Sequence, residues 1–90
     1  MAVALMLESR KGSAEEYERI RRRLGSDKPA GGIFHIAGPG PNGGWRVIEV
    51  WETEEQAERF FREHYIDALR SAGVRALPRR ELWPVHAAMR

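Results

Sequence analysis

The chain has 90 residues, no cysteine, and 15 basic against 13 acidic side chains, which gives a formal net charge of +2. This length suits one domain, predicted over residues 1–90. Without cysteine a disulfide framework, a thiolate metal site and a Cys nucleophile are excluded, and the predicted location is the cytoplasm. Basic and acidic residues are interspersed, so we predict no nucleic-acid partner. The apolar run 2–7 is too short for a signal peptide or a membrane span, so no membrane association is predicted.

The first part of the chain predicts a strand followed by a helix. Residues 2–7 are uninterruptedly apolar, which is typical of a short strand buried on both faces. Ser13 and Glu16 have the spacing of a capping box, in which each side chain satisfies a backbone N–H of the other residue. Apolar residues then recur at helical spacing as far as Gly25, so a helix is predicted from Ser13 to Gly25.

Two further strands are predicted around a turn rich in glycine and proline. Residues 33–37 form the shorter one, and the β-branched and aromatic run Trp45–Trp51 forms the clearer one. The dipeptide at residues 42–43, Asn-Gly, favours a hairpin between them. We expect Ala37 to pair near Trp45.

The second helix is predicted to begin at Thr53, which forms a capping box with Gln56. Gly73 is its expected left-handed cap. Its apolar stripe is predicted to contain Ala57, Phe60, Phe61, His64 and Ala68. The final segment, residues 77–88, contains prolines 78 and 84, which favour a strand at the edge of a sheet or one that leaves the parent sheet.

The order β-α-β-β-α-β predicts an α+β, ferredoxin-like protomer with an antiparallel sheet and both helices on one sheet face. The simpler apolar set is predicted to face the helices: Phe34, Ile36, Ile48 and Val50. The opposite face would then carry Trp45 and Trp51. So large an apolar patch is expected to be covered by a second subunit, giving a homodimer.

The segment GWRVIEVWETEEQAERFF, the preceding HIAGPGPNGG and the closing LWPVHAAM resemble the dimeric α/β barrel superfamily, particularly small proteins grouped with the antibiotic-biosynthesis monooxygenase domain. The resemblance covers nearly the whole chain. It implies that two ferredoxin-like protomers pack sheet against sheet into a homodimeric α/β barrel. Members of the superfamily include cofactor-free monooxygenases acting on polycyclic phenols, haem-degrading enzymes and lactone isomerases, so the fold does not select one reaction.

His35 and Glu49 form the predicted catalytic pair. The expected hairpin places both side chains on one sheet face, within reach of each other. A carboxylate beside an imidazole fixes the tautomer of the ring and prepares it to take a proton from a phenol or an activated C–H bond. The same pair in a protein interior also serves as a purely structural contact, and both interpretations stay open.

Four aromatic side chains are candidate substrate-binding residues: Trp45, Trp51, Phe60 and His64. The alternatives are that the tryptophans are packing anchors of a dimer interface and that His64 is a partly buried core residue. The three histidines, at positions 35, 64 and 86, lack metal-ligand spacing, so no metal is predicted. Haem-degrading relatives carry an Asn on the first strand and a Trp and a His on the second helix. The first strand here has no Asn, and the second helix offers Phe60, Phe61 and an early His64, so haem cleavage is not expected and no cofactor is predicted.

Two functions follow as hypotheses. The first is a cofactor-independent monooxygenase-like enzyme acting on a small aromatic or polyketide-like compound, with His35 as base and Glu49 as its orienting partner. The second is a non-catalytic homodimeric barrel that binds a hydrophobic small molecule or serves a structural role.

Overall fold

The computed structural model of the protein describes residues 1–88, which contain one four-stranded antiparallel sheet. The strands are β1 (Val3–Ser9), β2 (Gly32–Pro39), β3 (Trp45–Trp51) and β4 (Arg79–Pro84). They lie in the order β2-β3-β1-β4. The predicted ferredoxin-like α+β fold is confirmed, and the proline-containing last strand does lie at a sheet edge.

Two helical segments connect the strands. The helix α1 (Ala14–Leu24) connects β1 to β2. The second segment connects β3 to β4 and consists of α2 (Glu54–Phe60), a π-helical turn (Phe61–Tyr65), called the π turn below, and α3 (Ile66–Ser71). Within residues 1–88 no helix is long and apolar enough to cross a membrane.

Both helical segments begin where the capping residues predict. The side chain of Ser13 accepts a hydrogen bond from the backbone N–H of Glu16 at 3.1 Å, and that of Thr53 accepts one from Gln56 at 3.1 Å. Each bond satisfies one of the backbone donors that the first turn of a helix leaves free. The predicted glycines, at positions 25 and 73, follow the segments at φ values of 86° and 82°.

The π turn changes which side chains of the second helical segment face the core. The backbone N–H of Ile66 donates to the carbonyl of Phe61, five residues back, so this turn holds one residue more than an α-helical turn. Tyr65 and Ile66 consequently pack against the core, and His64 is exposed. The prediction that His64 lies on the buried stripe is wrong, because it assumed uninterrupted α-helical spacing.

The helical segments cover the sheet face opposite to the predicted one. The core between them and the sheet consists of Val3, Leu5, Leu7, Val47, Trp51, Ala57 and Phe61. The set predicted to face the helices lies on the other face, where Phe34 is 61% and Ile36 is 49% exposed. The large ring of Trp51 fills the space between helices and sheet, and the carboxyl group of Glu49 is tolerated there because it is hydrogen-bonded.

The face turned away from the helices is called the open face. Directly paired residues of antiparallel strands share a face, which places Phe34, Val50, Ala4 and Trp83 in one row and Ile36, Ile48, Met6 and Glu81 in the next. A third row, at one end of the sheet, is charged: Glu8 pairs with Arg46 at 2.6 Å and with Arg79 at 3.1 Å. The open face is therefore largely apolar across two rows, with Glu81 at the β4 edge of the second row, and polar at one end.

The hairpin between β2 and β3 is two residues tighter than expected. Pro39 is the residue that pairs with Trp45, while Ala37 pairs with Val47 and His35 pairs with Glu49. The strand extends beyond residue 37 because the turn closes late, through a bond from the N–H of Gly40 to the carbonyl of Gly44 at 3.2 Å. The predicted register is thus wrong by two residues, and the true register places His35 directly opposite Glu49.

Candidate functional site

A cleft of about 390 Å³ lies on the helix-covered side of the sheet, between α1, the loop after it, β2, β3 and the second helical segment. Its apolar walls include Ile20, Leu24, Ile33, Val47, Trp51 and Phe60. Polar side chains also line it: Tyr17, Arg21, Ser26, Asp27, Lys28, His35, Glu49 and Tyr65. Apolar walls with a few convergent polar groups are typical of small-molecule sites.

Strand register brings His35 and Glu49 together within this cleft. The Nδ1 atom of His35 lies 2.9 Å from Oε2 of Glu49, and the other oxygen, Oε1, accepts from the indole N–H of Trp51 at 3.1 Å. The side chain of Glu49 is 12% exposed, whereas that of His35 is 46% exposed. The carboxyl group is therefore the inner member of the pair and the imidazole the outer one.

Tyr17 of α1 extends this hydrogen-bonded chain at its outer end. Its hydroxyl oxygen lies 2.6 Å from Nε2 of His35. Because the carboxylate of Glu49 can only accept, the proton of the neutral imidazole is assigned to Nδ1, and Nε2 is the acceptor. The hydroxyl of Tyr17 must then be the donor. The four side chains form one directed chain, Tyr17 to His35 to Glu49, with Trp51 donating to the far end.

Burial disfavours the phenolate form of both cleft tyrosines. Desolvation raises the pKa of Tyr17; the nearby Arg21 guanidinium lowers that pKa, and Glu18 and Glu49 raise it further. Desolvation also raises the pKa of Tyr65, to about 12, and the negative charge of Glu49 is the second cause of this increase. Both hydroxyls are therefore protonated at neutral pH.

The structure places two of the four predicted substrate-binding residues in the cleft lining and two outside it. Trp51 and Phe60 line the cleft with ring centroids 5.2 Å apart. Trp45 lies outside the lining and packs on Tyr17 at 5.5 Å; its Nε1 is buried without a hydrogen-bond partner in residues 1–88. His64 also lies outside the lining, with its ring 5.6 Å from that of Phe60.

Tyr17 and Tyr65 were not predicted as site residues. The signal for Tyr17 was its place on the apolar stripe of α1, since a polar-tipped side chain on a buried helix face often finds a partner on the strand beneath. The sequence offered no comparable signal for Tyr65, because the π turn that brings it to the cleft interrupts the regular spacing. Among residues 1–88 no group of three or more His, Asp or Glu side chains is placed to hold a metal ion.

A scan against protein-family models finds no match for this sequence, and a search of curated proteins finds none either. Solved structures do match over nearly the full chain. A protein from Chloroflexus aurantiacus J-10-fl, whose name assigns it to the antibiotic biosynthesis monooxygenases, has a TM-score of 0.67 at 16% identity, covering 99% of this chain and 98% of that one. A conserved protein from Methanosarcina mazei Go1 has a TM-score of 0.70 at 12% identity, covering 92% and 91%.

SnoaB from Streptomyces nogalater, a cofactor-independent oxygenase, has a TM-score of 0.62 at 13% identity, covering 98% of this chain and 93% of its own. At such identities the likeness shows the fold. The predicted resemblance is confirmed at that level: this chain has the ferredoxin-like fold of solved antibiotic biosynthesis monooxygenase structures.

Proposed function

We propose that the protein is a cofactor-independent oxygenase acting on a small aromatic or polyketide-like compound. The observation that carries the proposal is the bond between His35 and Glu49 inside an apolar cleft of about 390 Å³. The fold shared with a cofactor-independent oxygenase supports it by analogy. In this proposal His35 accepts the proton of the substrate, and Glu49 orients the ring and stabilises the imidazolium that forms.

The chemistry balances with dioxygen as the co-reactant. When a proton leaves an acidic CH₂ group or its enol form, the electron pair stays on the substrate, and the resulting anion supplies electrons to dioxygen. One oxygen atom becomes the new carbonyl oxygen and the other leaves as water. A CH₂ group and dioxygen are thereby converted into a carbonyl group and water. The substrate itself is oxidised, so the protein's part is to bind it, orient it and take its proton.

The walls of the cleft favour a flat, apolar substrate. Trp51 and Phe60 pack on each other with ring centroids 5.2 Å apart, and together they form an aromatic wall of the cleft. Three of the polar groups, on α1, β2 and β3, are joined into one chain by hydrogen bonds. A compound with one acidic edge and an otherwise apolar body matches this distribution.

We also propose that the protein is a homodimer formed through the open face. Phe34 is 61%, Ile36 49% and Trp83 42% exposed there, and contiguous apolar surface of this kind marks an interaction site. In a symmetric dimer the same face of each copy would meet the other, so the two apolar rows of one copy would contact those of its partner. This places the interface on the side of the sheet opposite the cleft.

Oxygen uptake with anthrone, a model acidic CH₂ compound, tests the enzymatic function. The wild-type protein is expected to consume dioxygen, and His35→Gln and Glu49→Gln are expected to lower the rate by about 100-fold or more, the usual size of a general-base contribution. His86→Gln, which changes an exposed histidine far along the chain, is the matched control and should keep the wild-type rate.

Non-catalytic binding of a hydrophobic small molecule is the second candidate, and one observation favours it. Both ring nitrogens of His35 already have hydrogen-bond partners, as expected for a satisfied structural contact. If anthrone or a related phenol binds with no oxygen uptake by the wild-type protein, this function replaces the first.

A further inference from the structure

Tyr17 occupies the position through which a substrate proton would have to reach His35. Its ring is stacked near the imidazole, with centroids 5.9 Å apart, and its hydroxyl donates to Nε2 at 2.6 Å. Within residues 1–88 the imidazole thus offers no unoccupied nitrogen to a ligand. Tyr17 lines the cleft, and its hydroxyl oxygen, while donating one hydrogen bond, retains lone-pair capacity to accept another.

We infer that Tyr17 is a further catalytic residue, which relays the proton of the substrate to His35. This inference rests on the proposed function and assigns a step within it. The substrate donates a hydrogen bond to the oxygen of Tyr17, and this oxygen takes the substrate proton as its own proton passes to Nε2. No residue has to move, because the second half of the relay is already in hydrogen-bond contact.

The relay balances in protons and electrons. The substrate X–H bond breaks and its electron pair stays on X, while an O–H bond forms at Tyr17. The original O–H bond of Tyr17 breaks and an N–H bond forms at Nε2 of His35. Two protons have moved, with a net transfer of one proton from the substrate to His35. Tyr17 is neutral at the end, and the imidazolium lies beside the carboxylate of Glu49.

The surroundings of Tyr17 explain why it relays the proton and does not keep a negative charge. Burial raises its pKa, so a stable phenolate is disfavoured in the cleft. The charged groups around it are mixed: Arg21 on α1 favours the phenolate, while Glu18 on α1 and Glu49 on β3 oppose it. The proton is instead taken up by His35, whose Nδ1 faces Glu49.

The relay also narrows the class of substrate. A group that gives its proton to the oxygen of Tyr17 must first donate a hydrogen bond to that oxygen, which O–H groups do far better than C–H groups. We therefore expect the bound substrate to present the hydroxyl of a phenol or an enol. An anthrone-type compound would react from its enol form.

Ionisation of bound 4-nitrophenol, whose anion absorbs visible light, tests the relay on the full chain. The wild-type protein should bind the probe and increase its ionised fraction. Tyr17→Phe keeps the ring but removes the hydroxyl, and should lower the ratio of bound anion to bound neutral probe by about tenfold or more, which equals one pKa unit. Tyr65→Phe removes a cleft hydroxyl that has no bond to His35, and should lower the ratio less.

The outcomes separate the relay from the proposed function. If Tyr17→Phe ionises the probe as well as the wild-type protein and His35→Gln does not, the relay is overturned and the base assignment stands. If the wild-type protein neither binds nor ionises the probe, both are overturned. Thermal melts show whether Tyr17→Phe is folded.

A second measurement needs no variant. In mixtures of H₂O and D₂O, the rate of anthrone-dependent oxygen uptake should depend on the deuterium fraction along a curve, because two protons move in one step. A straight line, which indicates one transferred proton, would contradict the relay while leaving the oxygenase function intact.

Discussion

Glu49 carries its carboxyl group into the interior between the helices and the sheet, where an unpaired charge would be strongly unfavourable. Both oxygens accept hydrogen bonds, one from His35 and one from Trp51. All three residues belong to the paired strands β2 and β3. The proposed proton acceptor is therefore positioned by the sheet, which is a rigid support for a catalytic group.

The contact between His35 and Glu49 could be predicted from the sequence because alternation along two neighbouring strands places both side chains on one face. Their direct pairing could not be predicted, because the strand register depends on where the turn closes. The glycines and prolines between residues 38 and 44 are compatible with turns of several lengths. The bond from Tyr17 joins a helix to a strand across the core. No local spacing specifies such a contact.

Tyr65 predicts a loss of stability in strong base. Its pKa is raised from 10.0 to about 12, so between these values the folded state retains a proton that the unfolded chain has released. The contribution of Tyr65 to the free energy of unfolding is fully present below about pH 10 and is lost as the pH rises towards about 12. It amounts to a few kcal/mol at most. Urea unfolding at a series of pH values should show this decline.

Tyr65→Phe is the comparison for that titration. The variant has no phenol to release at this position, so its free energy of unfolding should fall less steeply above about pH 10 than that of the wild-type protein. Equal slopes for the two proteins would contradict the assignment of this pH dependence to Tyr65. The absolute stabilities need not agree, since only the pH dependence is compared.

At the scale of the elements, caps and ends of helices were the most predictable features, because a capping bond is formed between residues three apart. Which face of β3 lies against the helices was not predictable in the same way. Both of its faces are largely apolar, and the choice between them depends on whether the carboxyl group of Glu49 finds donors, which only the tertiary structure supplies.

Thr53→Ala should destabilise the fold through the start of the second helical segment. The hydroxyl of Thr53 accepts from the backbone N–H of Gln56 at 3.1 Å, and loss of such a cap costs about 1 kcal/mol. Thr53→Ser keeps the acceptor and should retain most of the wild-type stability. Chemical denaturation of both variants measures the difference, and equal losses would show that the methyl group, not the cap, matters.

At the scale of the whole molecule, the sheet separates two different surfaces. The helix-covered side contains the core and the cleft, and the open face carries the exposed apolar rows. The resemblance predicted that a sheet face forms a dimer interface, but the Trp51 face expected for this role is the one that the helices cover. Because the core lies within the protomer, association through the open face does not have to supply it.

Ile36→Lys should therefore dissociate the proposed homodimer and leave a folded monomer. A lysine in the middle of an apolar interface row would be desolvated without a partner, whereas on a free monomer it is solvated. Val47→Lys, a substitution of the same kind on the buried face, should unfold the protomer instead. Light scattering after size exclusion and circular dichroism distinguish the two results, and a wild-type monomer at micromolar concentration would contradict the proposal.

The π turn has a consequence for chains of different length. Since the N–H of Ile66 bonds to the carbonyl of Phe61 across five residues, removing one residue between them would turn this contact into an ordinary α-helical bond, with the segments on both sides kept in phase. Deletion of the exposed Glu63 should accordingly preserve the circular dichroism spectrum and cooperative unfolding. Deletion of Arg19 in α1, which is also exposed, would rotate Ile20 and Leu24 by about 100° relative to the preceding residues and should abolish folding. In an alignment with a homologue that is one residue shorter, the gap would then fall inside this helical segment, where a deletion ordinarily disrupts the fold.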